Sequence, residues 1–346
     1  MPRNADFLKI ITDKSKKNGR EMITGQLMEM FGAFRKSRLL LTAYELDIFT
    51  RLEESPKSSK DTAASTGADV RATDRLMSAL AALGFIKKEN GIYSNTEISS
   101  TYLVKGKPDY LGGIGHMAHL WDNWSGLTKS VITGKPPRRE EIGERGEEWI
   151  RSFIKAMHSR GIKRSKELKQ FIKMNNNDCV LDIGGGSGVF AETLIEDFPK
   201  ASADIYDLPE VIPVTEEYIN KSSASDRMKT VAGDFMRDSL GNGYDMALLS
   251  AIIHMLSYEE NVLLLKKSYM ALVEGGRVVI SDYIMSEDRT EPADGAIFAL
   301  NMLVGTKNGD TYTKREVLAM LEEAGFVKVE FTPVNESTTI AVGYKD

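Results

Sequence analysis

One segment limits the fold of this chain more than any other, the sequence VLDIGGGSGVF at residues 180–190. An apolar run carries Asp182 and is followed by glycines at positions 184, 186 and 188. Glycines let the backbone turn tightly and let a ligand approach the main chain. In open α/β sheets, ligands bind at the carboxyl ends of the strands, where such a loop lies. The segment therefore predicts an α/β domain with a ligand site at this loop.

The sequence around this segment supports the prediction because strands and helices alternate along it. The predicted strands are CVLDIG, SADIYDL, KTVAGD, YDMALLS and RVVISDYI. Ser257 and Glu260 form a capping box, which starts a helix predicted to run to Gly275-Gly276. The last two runs, FVKVEFTPV and TTIAVGYK, are separated by Asn335-Glu336 and predict an antiparallel hairpin. We expect a doubly wound parallel sheet, covered by helices on both faces and finished by this hairpin.

Residues 37–104 show a different pattern, which is typical of a winged helix. Helical spacing relates Leu41, Tyr44, Ile48 and Leu52, and a short helix follows Ser58-Ser59. A third helix ends at Gly84, and its predicted packed side consists of Val70, Leu76, Met77, Leu80 and Leu83. The runs of FIKKENGIYSN are joined by Asn90-Gly91, a strong signal for a hairpin turn.

This unit has two interpretations. DNA binding would use Arg71 and Arg75 on the third helix. A packing or dimerisation module is the preferred interpretation, because the chain is acidic and carries a large second domain. The first 36 residues are also helix-prone and could wrap a partner subunit.

Composition limits the compartment and the partners. The 346 residues favour two domains, and the net charge of −5 gives no general attraction to nucleic acid or anionic membranes. Cys179 is the single cysteine, which excludes an internal disulfide and fits a reducing compartment. The first residues lack the apolar core of a secretory signal, and no apolar run approaches the roughly 20 residues of a membrane helix. We therefore expect a cytoplasmic protein that binds neither nucleic acid nor membrane.

Two histidines outside the glycine segment need an interpretation of their own. His116 and His119 share a helical face with Asp122, so metal ligation is possible. Nothing else in the sequence completes a metal site, and a helix that is half core and half pocket wall is preferred. We expect no bound metal.

Acidic residues at the ends of successive strands indicate which cofactor the glycine loop binds. The spacing Gly186-x-Gly188-x-x-Ala191 also fits a dinucleotide fingerprint, so the glycines alone leave a nicotinamide cofactor open. Asp207 ends the second strand and could bind ribose hydroxyls in either case. Asp234 ends the third strand, where it could meet an adenine amino group while Phe235 covers the ring. An acid there favours S-adenosylmethionine over NAD, and Asp182 suits its positive charge.

Together these segments resemble a known family. LDIGGGSG, YDLPEVI, GDF, LLSAIIHMLS, EGGRVVISD, ALNMLV and LEEAGF occur in the order found in hydroxyindole, caffeic-acid-type and bacterial polyketide O-methyltransferases. The resemblance implies a class I (Rossmann-like) methyltransferase fold that binds S-adenosylmethionine and releases S-adenosylhomocysteine. It implies three parts: a winged-helix dimerisation domain at 1–104, a helical connector lining the acceptor pocket at 105–177, and a catalytic domain at 178–346. The charged segment 135–148 is expected to be a surface connection.

The resemblance also assigns residues to sites. The expected cofactor-binding residues are Asp182, Gly184, Gly186, Gly188, Asp207, Leu208, Asp234, Phe235 and Ser250. The expected pocket for a small-molecule acceptor is formed by Trp121, Trp124, Phe153, Met157, Asn301 and Met302. His254 is the expected general base, oriented by Asp282, and the family implies a homodimer formed through the N-terminal domain.

The sequence departs from the family around His254. The family usually has His-Asp-Trp where this chain has His254-Met255-Leu256, and Thr311 stands at a second position that is usually acidic, with Asp310 beside it. This departure keeps open a family member that performs C- or N-methylation, decarboxylation or hydroxylation. Two further alternatives stay open at this point: a nicotinamide oxidoreductase, from the glycine spacing, and a winged-helix regulator that senses S-adenosylmethionine.

Overall fold

The computed structural model describes residues 17–111, 113–137 and 146–346, which form two compact units divided between Ile114 and Gly115. The predicted wrapping segment before residue 17 and most of the predicted surface connection at 135–148 lie outside the described residues. No helix in these ranges is long and apolar enough to cross a membrane.

The N-terminal unit is mainly helical. Its helices are α1 (Lys17–Gly32), α2 (Phe34–Glu45), α3 (Ile48–Glu54), α4 (Ser59–Thr66), α5 (Val70–Ala82) and α6 (Glu97–Tyr102). Three short antiparallel strands, β1 (Lys57–Ser58), β2 (Ile86–Glu89) and β3 (Ile92–Asn95), form a sheet in the order β1-β3-β2. The turn between β2 and β3 has positive φ at Asn90 (49°) and Gly91 (81°), as its sequence predicts.

Two details of this unit differ from the predicted pattern. Asp47 adopts a left-handed φ of 55° and divides the predicted first helix into α2 and α3. Val70 and Leu83 were predicted to lie on the packed side of the third helix, but 47% and 42% of their surfaces are exposed. The core instead packs Met77 and Leu80 against residues of α3 and of the β2–β3 hairpin.

The C-terminal unit begins with three helices, α7 (Ile114–Ser125), α8 (Leu127–Thr133) and α9 (Glu147–Lys169). Its strands are β4 (Cys179–Ile183), β5 (Ser202–Asp207), β6 (Met228–Ala232), β7 (Tyr244–Ser250), β8 (Leu272–Asp282), β9 (Ile284–Met285), β10 (Tyr312–Thr313), β11 (Val327–Pro333) and β12 (Thr339–Tyr344). The remaining helices are α10 (Val189–Ile195), α11 (Ile212–Ile219), α12 (Tyr258–Ala271), α13 (Ala293–Gly305) and α14 (Lys314–Glu323).

Seven of these strands form one sheet in the order β11-β12-β8-β7-β4-β5-β6. The pairs from β8 to β6 are parallel, and β12 is antiparallel to both of its neighbours. The predicted α/β sheet with a terminal hairpin is therefore confirmed. Because β7, β4, β5 and β6 are parallel neighbours, the loops that follow them lie at one edge of the sheet.

Alternating side chains of the strands enter two different cores. Leu181, Ala247, Leu249, Val278 and Ile280 pack with residues of α12 and α14 on one face. The intervening residues Val180, Met246, Leu248 and Val279 pack with residues of α9 and α10 on the other face. This period of two is the geometry of a strand buried on both sides. Each fully buried Leu or Ile side chain contributes about 1.5–3 kcal/mol.

The helix that follows the Ser257–Glu260 capping box ends earlier than predicted. It ends at Ala271, whereas the sequence predicted Gly275-Gly276 as its end. Leu272 has an extended ψ of 148°, is 3% exposed and pairs with Tyr244 in the sheet. Burial of Leu272 and its strand pairing therefore end the helix before the glycines are reached.

Candidate active site

The glycine loop after β4 leaves no room for a side chain at Gly184 or Gly185. Gly184, Gly186 and Gly188 have positive φ values of 68°, 57° and 75°. A Cβ atom on Gly184 would lie 2.5 Å from Cδ1 of Ile252. At Gly185 a Cβ would lie 2.7 Å from the carboxyl carbon of Asp182. The local fold thus requires glycine, and it leaves the main chain of residues 184–186 partly accessible to a ligand.

Three neighbouring elements hold this loop in place. The Gly186 amide donates to Oδ2 of Asp207 at 2.8 Å, and the Thr215 hydroxyl of α11 donates to the Gly186 carbonyl at 2.5 Å. From α9, Nδ1 of His158 lies 2.9 Å from Oγ of Ser187. Sequence reasoning identified Asp207 and the segment that contains Ser187, and it missed His158 and Thr215, which lie on helices without a motif signal.

Among the described residues, neither of the two carboxylates beside the loop forms an ion pair. Asp182 is 1% exposed, and its Oδ2 has no hydrogen-bond partner among the described residues. Burial, together with the negative charge of Asp207, raises the pKa of Asp182 to about 7. Burial also raises the pKa of Asp207 to about 6, although the amides of Gly186 and Leu208 donate to it. A cationic ligand would compensate both carboxylates.

The third acid follows β6, at the same edge of the sheet. Oδ1 of Asp234 accepts from the Met236 amide at 2.9 Å, and Oδ2 lies 3.3 Å from Nε of Arg237. Phe235 reaches the glycine loop, since its Cε1 would lie 3.7 Å from a Cβ on Gly184. Gly233, the first residue of the GDF segment, has no room for a side chain, because a Cβ there would clash with the Tyr206 hydroxyl.

The other two predicted cofactor residues lie at the ends of β7 and β5, the two strands that flank β4. Ser250 is the last residue of β7, opposite Ser281 of β8. Leu208 follows β5 and packs in the cluster formed by Ile150, Ile154, Val211 and Val214. The structure therefore places Leu208 against α9 and α11.

The two predicted catalytic residues, His254 and Asp282, contact each other. His254 lies in a short 3₁₀ helix (Ile253–Met255) after β7, and Asp282 ends β8. Nδ1 of His254 lies 2.8 Å from Oδ1 and 2.9 Å from Oδ2 of Asp282. The two residues are 7% and 4% exposed, so water competes weakly for this contact.

Met255 and Thr311, which stand at positions that are usually acidic in the family, leave His254 without a second carboxylate among the described residues. Asp310 pairs with Arg289 at 3.4 Å, and Thr311 is buried. Among the described residues, Asp282 is the one carboxylate that hydrogen-bonds the imidazole. This histidine thus depends on a single acidic partner.

Aromatic rings extend from the His254 imidazole. Phe298 of α13 meets the imidazole edge-on, with ring centroids 4.8 Å apart, and Tyr283 lies 4.8 Å from Phe298 on the centroid distance. Sequence reasoning missed both rings because β-strand and helix patterns do not show which side chains meet across the sheet edge. They provide a flat apolar surface beside the histidine.

The predicted acceptor residues fall into separate groups. The indole Nε1 of Trp124 donates to Oδ1 of Asn301 at 2.9 Å, so α7 and α13 meet there, and Met302 is 6% exposed. Phe153 of α9 stacks on Trp149 at 5.0 Å and meets His116 edge-on at 5.3 Å. Trp121 and Met157 are half-buried on α7 and α9.

The two histidines with a possible metal role lie among aromatic rings. His116 contacts Phe153, and the His119 ring lies 6.2 Å from that of Trp149. Among residues 17–111, 113–137 and 146–346, no three His, Cys, Asp or Glu side chains group as metal ligands would. These contacts support the interpretation of α7 as a helix that is half core and half pocket wall.

Comparison with known proteins decides the family. The model of the O-methyltransferase domain matches residues 134–327, and that of the O-methyltransferase dimerisation domain matches residues 28–105. The chain belongs to the O-methyltransferase family. The predicted resemblance, the enzyme class and the dependence on S-adenosylmethionine are thereby confirmed. This cofactor does not support the alternative of a nicotinamide oxidoreductase.

Individual relatives align over most of their length. The 3-hydroxy-5-methyl-1-naphthoate 3-O-methyltransferase of Streptomyces sahachiroi is 32% identical over 85% of this chain and 87% of the relative. The tetracenomycin polyketide synthesis 8-O-methyl transferase of Streptomyces glaucescens is 30% identical, covering 93% and 96%. The crystal structure of human N-acetylserotonin methyltransferase in complex with SAM has a TM-score of 0.78, covers 96% of this chain and 99% of that chain, and is 23% identical. This last likeness shows the fold.

Proposed function

We propose that this O-methyltransferase methylates a hydroxyl group of a small aromatic acceptor, with His254 as the general base. The observation that carries the proposal is the contact of His254 Nδ1 with both carboxylate oxygens of Asp282. A carboxylate at this nitrogen favours the tautomer in which Nδ1 carries the proton. Nε2 is then the basic nitrogen, and Asp282 stabilises the imidazolium that forms when Nε2 takes a proton.

The residues around the glycine loop suit S-adenosylmethionine. When bound, this cofactor supplies a methyl group from a positively charged sulfonium. The buried Oδ2 of Asp182, which has no partner among the described residues, fits a cationic ligand. Asp207 would bind the ribose hydroxyls, and Asp234 with Phe235 would bind the adenine, at the edge where their strands end. Partly accessible main chain at Gly184 and Gly186 lets the ligand approach closely.

His254 would then remove the proton of the acceptor hydroxyl as the methyl group is transferred. Nε2 would take the proton of the acceptor hydroxyl, and the acceptor oxygen would gain the methyl group that the cofactor supplies, so that neutral S-adenosylhomocysteine would remain. General-base catalysis of this kind contributes about 10²–10⁴-fold to a rate. Positioning of the acceptor beside His254 by the ring of Phe298 contributes further, because an aligned attack avoids an entropic cost.

An aromatic acceptor is supported by the rings near His254 and by the relatives. Phe298, Tyr283 and Trp124 offer flat apolar surfaces in the same unit. The names of the two Streptomyces relatives specify a naphthoate and a polyketide of the tetracenomycin pathway. We infer that the acceptor of this chain is likewise a flat aromatic or polycyclic molecule.

The decisive experiment measures S-adenosylhomocysteine formed from a panel of phenols and naphthols. We expect His254→Ala to lose about 10²–10⁴-fold in kcat while its affinity for S-adenosylmethionine stays unchanged. Asp282→Asn keeps the shape of the pair and removes its charge, so it should also lower kcat and shift the pH profile of kcat. Full turnover by His254→Ala would refute the base role. Tight cofactor binding by the wild-type protein with no product from any phenol would favour the alternative of changed chemistry.

We also propose that two copies of the chain associate through the N-terminal unit. Large apolar side chains on α1 and α2 are exposed, among them Met28 (64%), Phe31 (72%) and Phe34 (54%). Exposed apolar side chains grouped in this way mark contact surfaces. The match of residues 28–105 to the dimerisation domain supports the same conclusion.

A further inference from the structure

Arg160 is a cation near the candidate acceptor site that no role yet explains. It lies on α9, two turns beyond Phe153, so both side chains project from the same side of the helix. Its Nη2 lies 3.6 Å from Sδ of Met117 on α7. This stripe of α9 therefore faces the helix that also carries Trp121 and Trp124.

Arg160 lines a groove between α9 and the turn before β12. Burial by surrounding atoms and the nearby charge of Arg164 lower the pKa of its guanidinium, while Tyr283 acts in the opposite direction. Among the residues that the structure describes, no Asp or Glu forms an ion pair with Arg160 within 4.0 Å.

Tyr283 connects this cleft to the proposed base. Its ring lies 4.8 Å from that of Phe298, which in turn lies 4.8 Å from the imidazole of His254. The groove that Arg160 lines also includes Thr338, and the next residue, Thr339, pairs with Asp282 at the end of β8, directly before Tyr283. We therefore expect a flat acceptor that rests on these rings, with its hydroxyl at His254, to extend toward Arg160. We propose that the acceptor carries a carboxylate, which Arg160 binds through its two parallel N–H donors. This inference rests on the proposed function.

The charges around Arg160 fit the approach of an anion. Arg160, Lys163 and Arg164 line one side of a groove of about 510 Å³ between α9 and the turn before β12. The one acid in that lining, Glu167, already contacts Lys163 at 3.7 Å and Asn335 at 3.3 Å. The groove is thus locally cationic on a chain whose net charge is −5, and a local positive field raises the rate at which anions arrive.

A matched pair of acceptors tests the inference. The pair is a hydroxynaphthoic acid, with hydroxyl and carboxyl at opposite ends, and its neutral primary amide. We expect the wild-type protein to prefer the acid by about 10- to 100-fold in kcat/KM, as a hydrogen-bonded ion pair permits. Arg160→Gln should abolish that preference, because it lowers kcat/KM far more for the acid than for the amide. Arg160→Lys should retain part of it, since an ammonium keeps the charge and loses the paired geometry.

Two controls separate this inference from its alternatives. Arg164→Gln removes a charge from the groove rim and should change the preference by less than about threefold, as screened surface charges do. Binding of the acid to the protein with S-adenosylhomocysteine is measured alongside turnover. If neither compound is methylated but the acid binds more weakly to Arg160→Gln, the proposed function fails and the anion site stands. Equal binding and equal turnover of acid and amide by the wild-type protein would overturn the anion site alone.

Discussion

At the residue scale, the buried acids Asp182 and Asp207 link the affinity for the cofactor to pH. Their pKa values are raised to about 7 and about 6, so both hold protons in mildly acidic solution in the ligand-free protein. A cationic ligand favours the ionised carboxylates, and its binding must therefore release these protons. The sign follows directly: affinity is weak where the acids are protonated and increases as pH rises through the two values.

We expect the dissociation constant of S-adenosylmethionine to rise several-fold per unit as pH falls from about 7 to about 5.5. Titration calorimetry at each pH, in buffers of different ionisation enthalpy, measures both the affinity and the released protons. Asp182→Asn should bind more weakly and lose most of this dependence. His158, whose pKa burial lowers, also touches the loop, and His158→Gln checks its share. A wild-type affinity that stays flat across this range would contradict the linkage.

At the element scale, local pattern predicted what local forces determine. The strands were readable because buried residues such as Val180 and Leu181 alternate between two cores. The three strand-end acids were readable because parallel topology places the ends of neighbouring strands together. Leu272 and Phe298 show the limit of this prediction. Leu272 ends α12 because it pairs with Tyr244, which is distant in sequence. Phe298 lies beside His254 because α13 packs there. Such long-range contacts leave no periodic signal in the chain.

The contact between α9 and α10 gives a prediction at this same scale. A Cβ on Gly161 would lie 2.6 Å from Cγ1 of Val189, the first residue of α10 after the glycine loop. Gly161→Ala gains about 1 kcal/mol of helix propensity but overpacks a buried contact, which typically costs about 1–3 kcal/mol. Because Val189 is 7% exposed and branched, packing should decide the sign.

We therefore expect Gly161→Ala to lower the free energy of unfolding by about 1 kcal/mol and to weaken cofactor binding through displacement of the loop. Urea unfolding and calorimetry measure the two effects. Gly305→Ala is the matched control. Gly305 is the last residue of α13, and a Cβ added there would have no other atom within 4 Å. The control should be neutral or slightly stabilising. Equal stability of the two variants would show that α9 can move away from α10 at little cost.

At the scale of the whole molecule, apolar exposure is unevenly distributed between the two units. The winged-helix pattern was readable from sequence, and the match of residues 28–105 to the dimerisation domain supports the interpretation that the sequence favoured over DNA binding. The structure adds the apolar side chains of α1 and α2 that its own unit leaves exposed, including Met28, Phe31 and Phe34. Burying one such side chain against a partner contributes about 1.5–3 kcal/mol, so a few of them support a stable dimer.

Placing a charge in this surface should therefore separate the two copies. We expect the wild-type protein to have the mass of a dimer in light scattering after gel filtration, and Phe31→Glu to shift it toward the monomer, because a buried, unpaired carboxylate costs several kcal/mol. Met270→Glu is the matched control: Met270 is 73% exposed, but it lies on α12 in the other unit. Met270→Glu should leave the mass unchanged.

Dissociation by Met270→Glu, with Phe31→Glu still dimeric, would instead place the interface in the C-terminal unit. Circular dichroism of both variants distinguishes dissociation from unfolding, and activity per chain then shows whether each active site needs its partner.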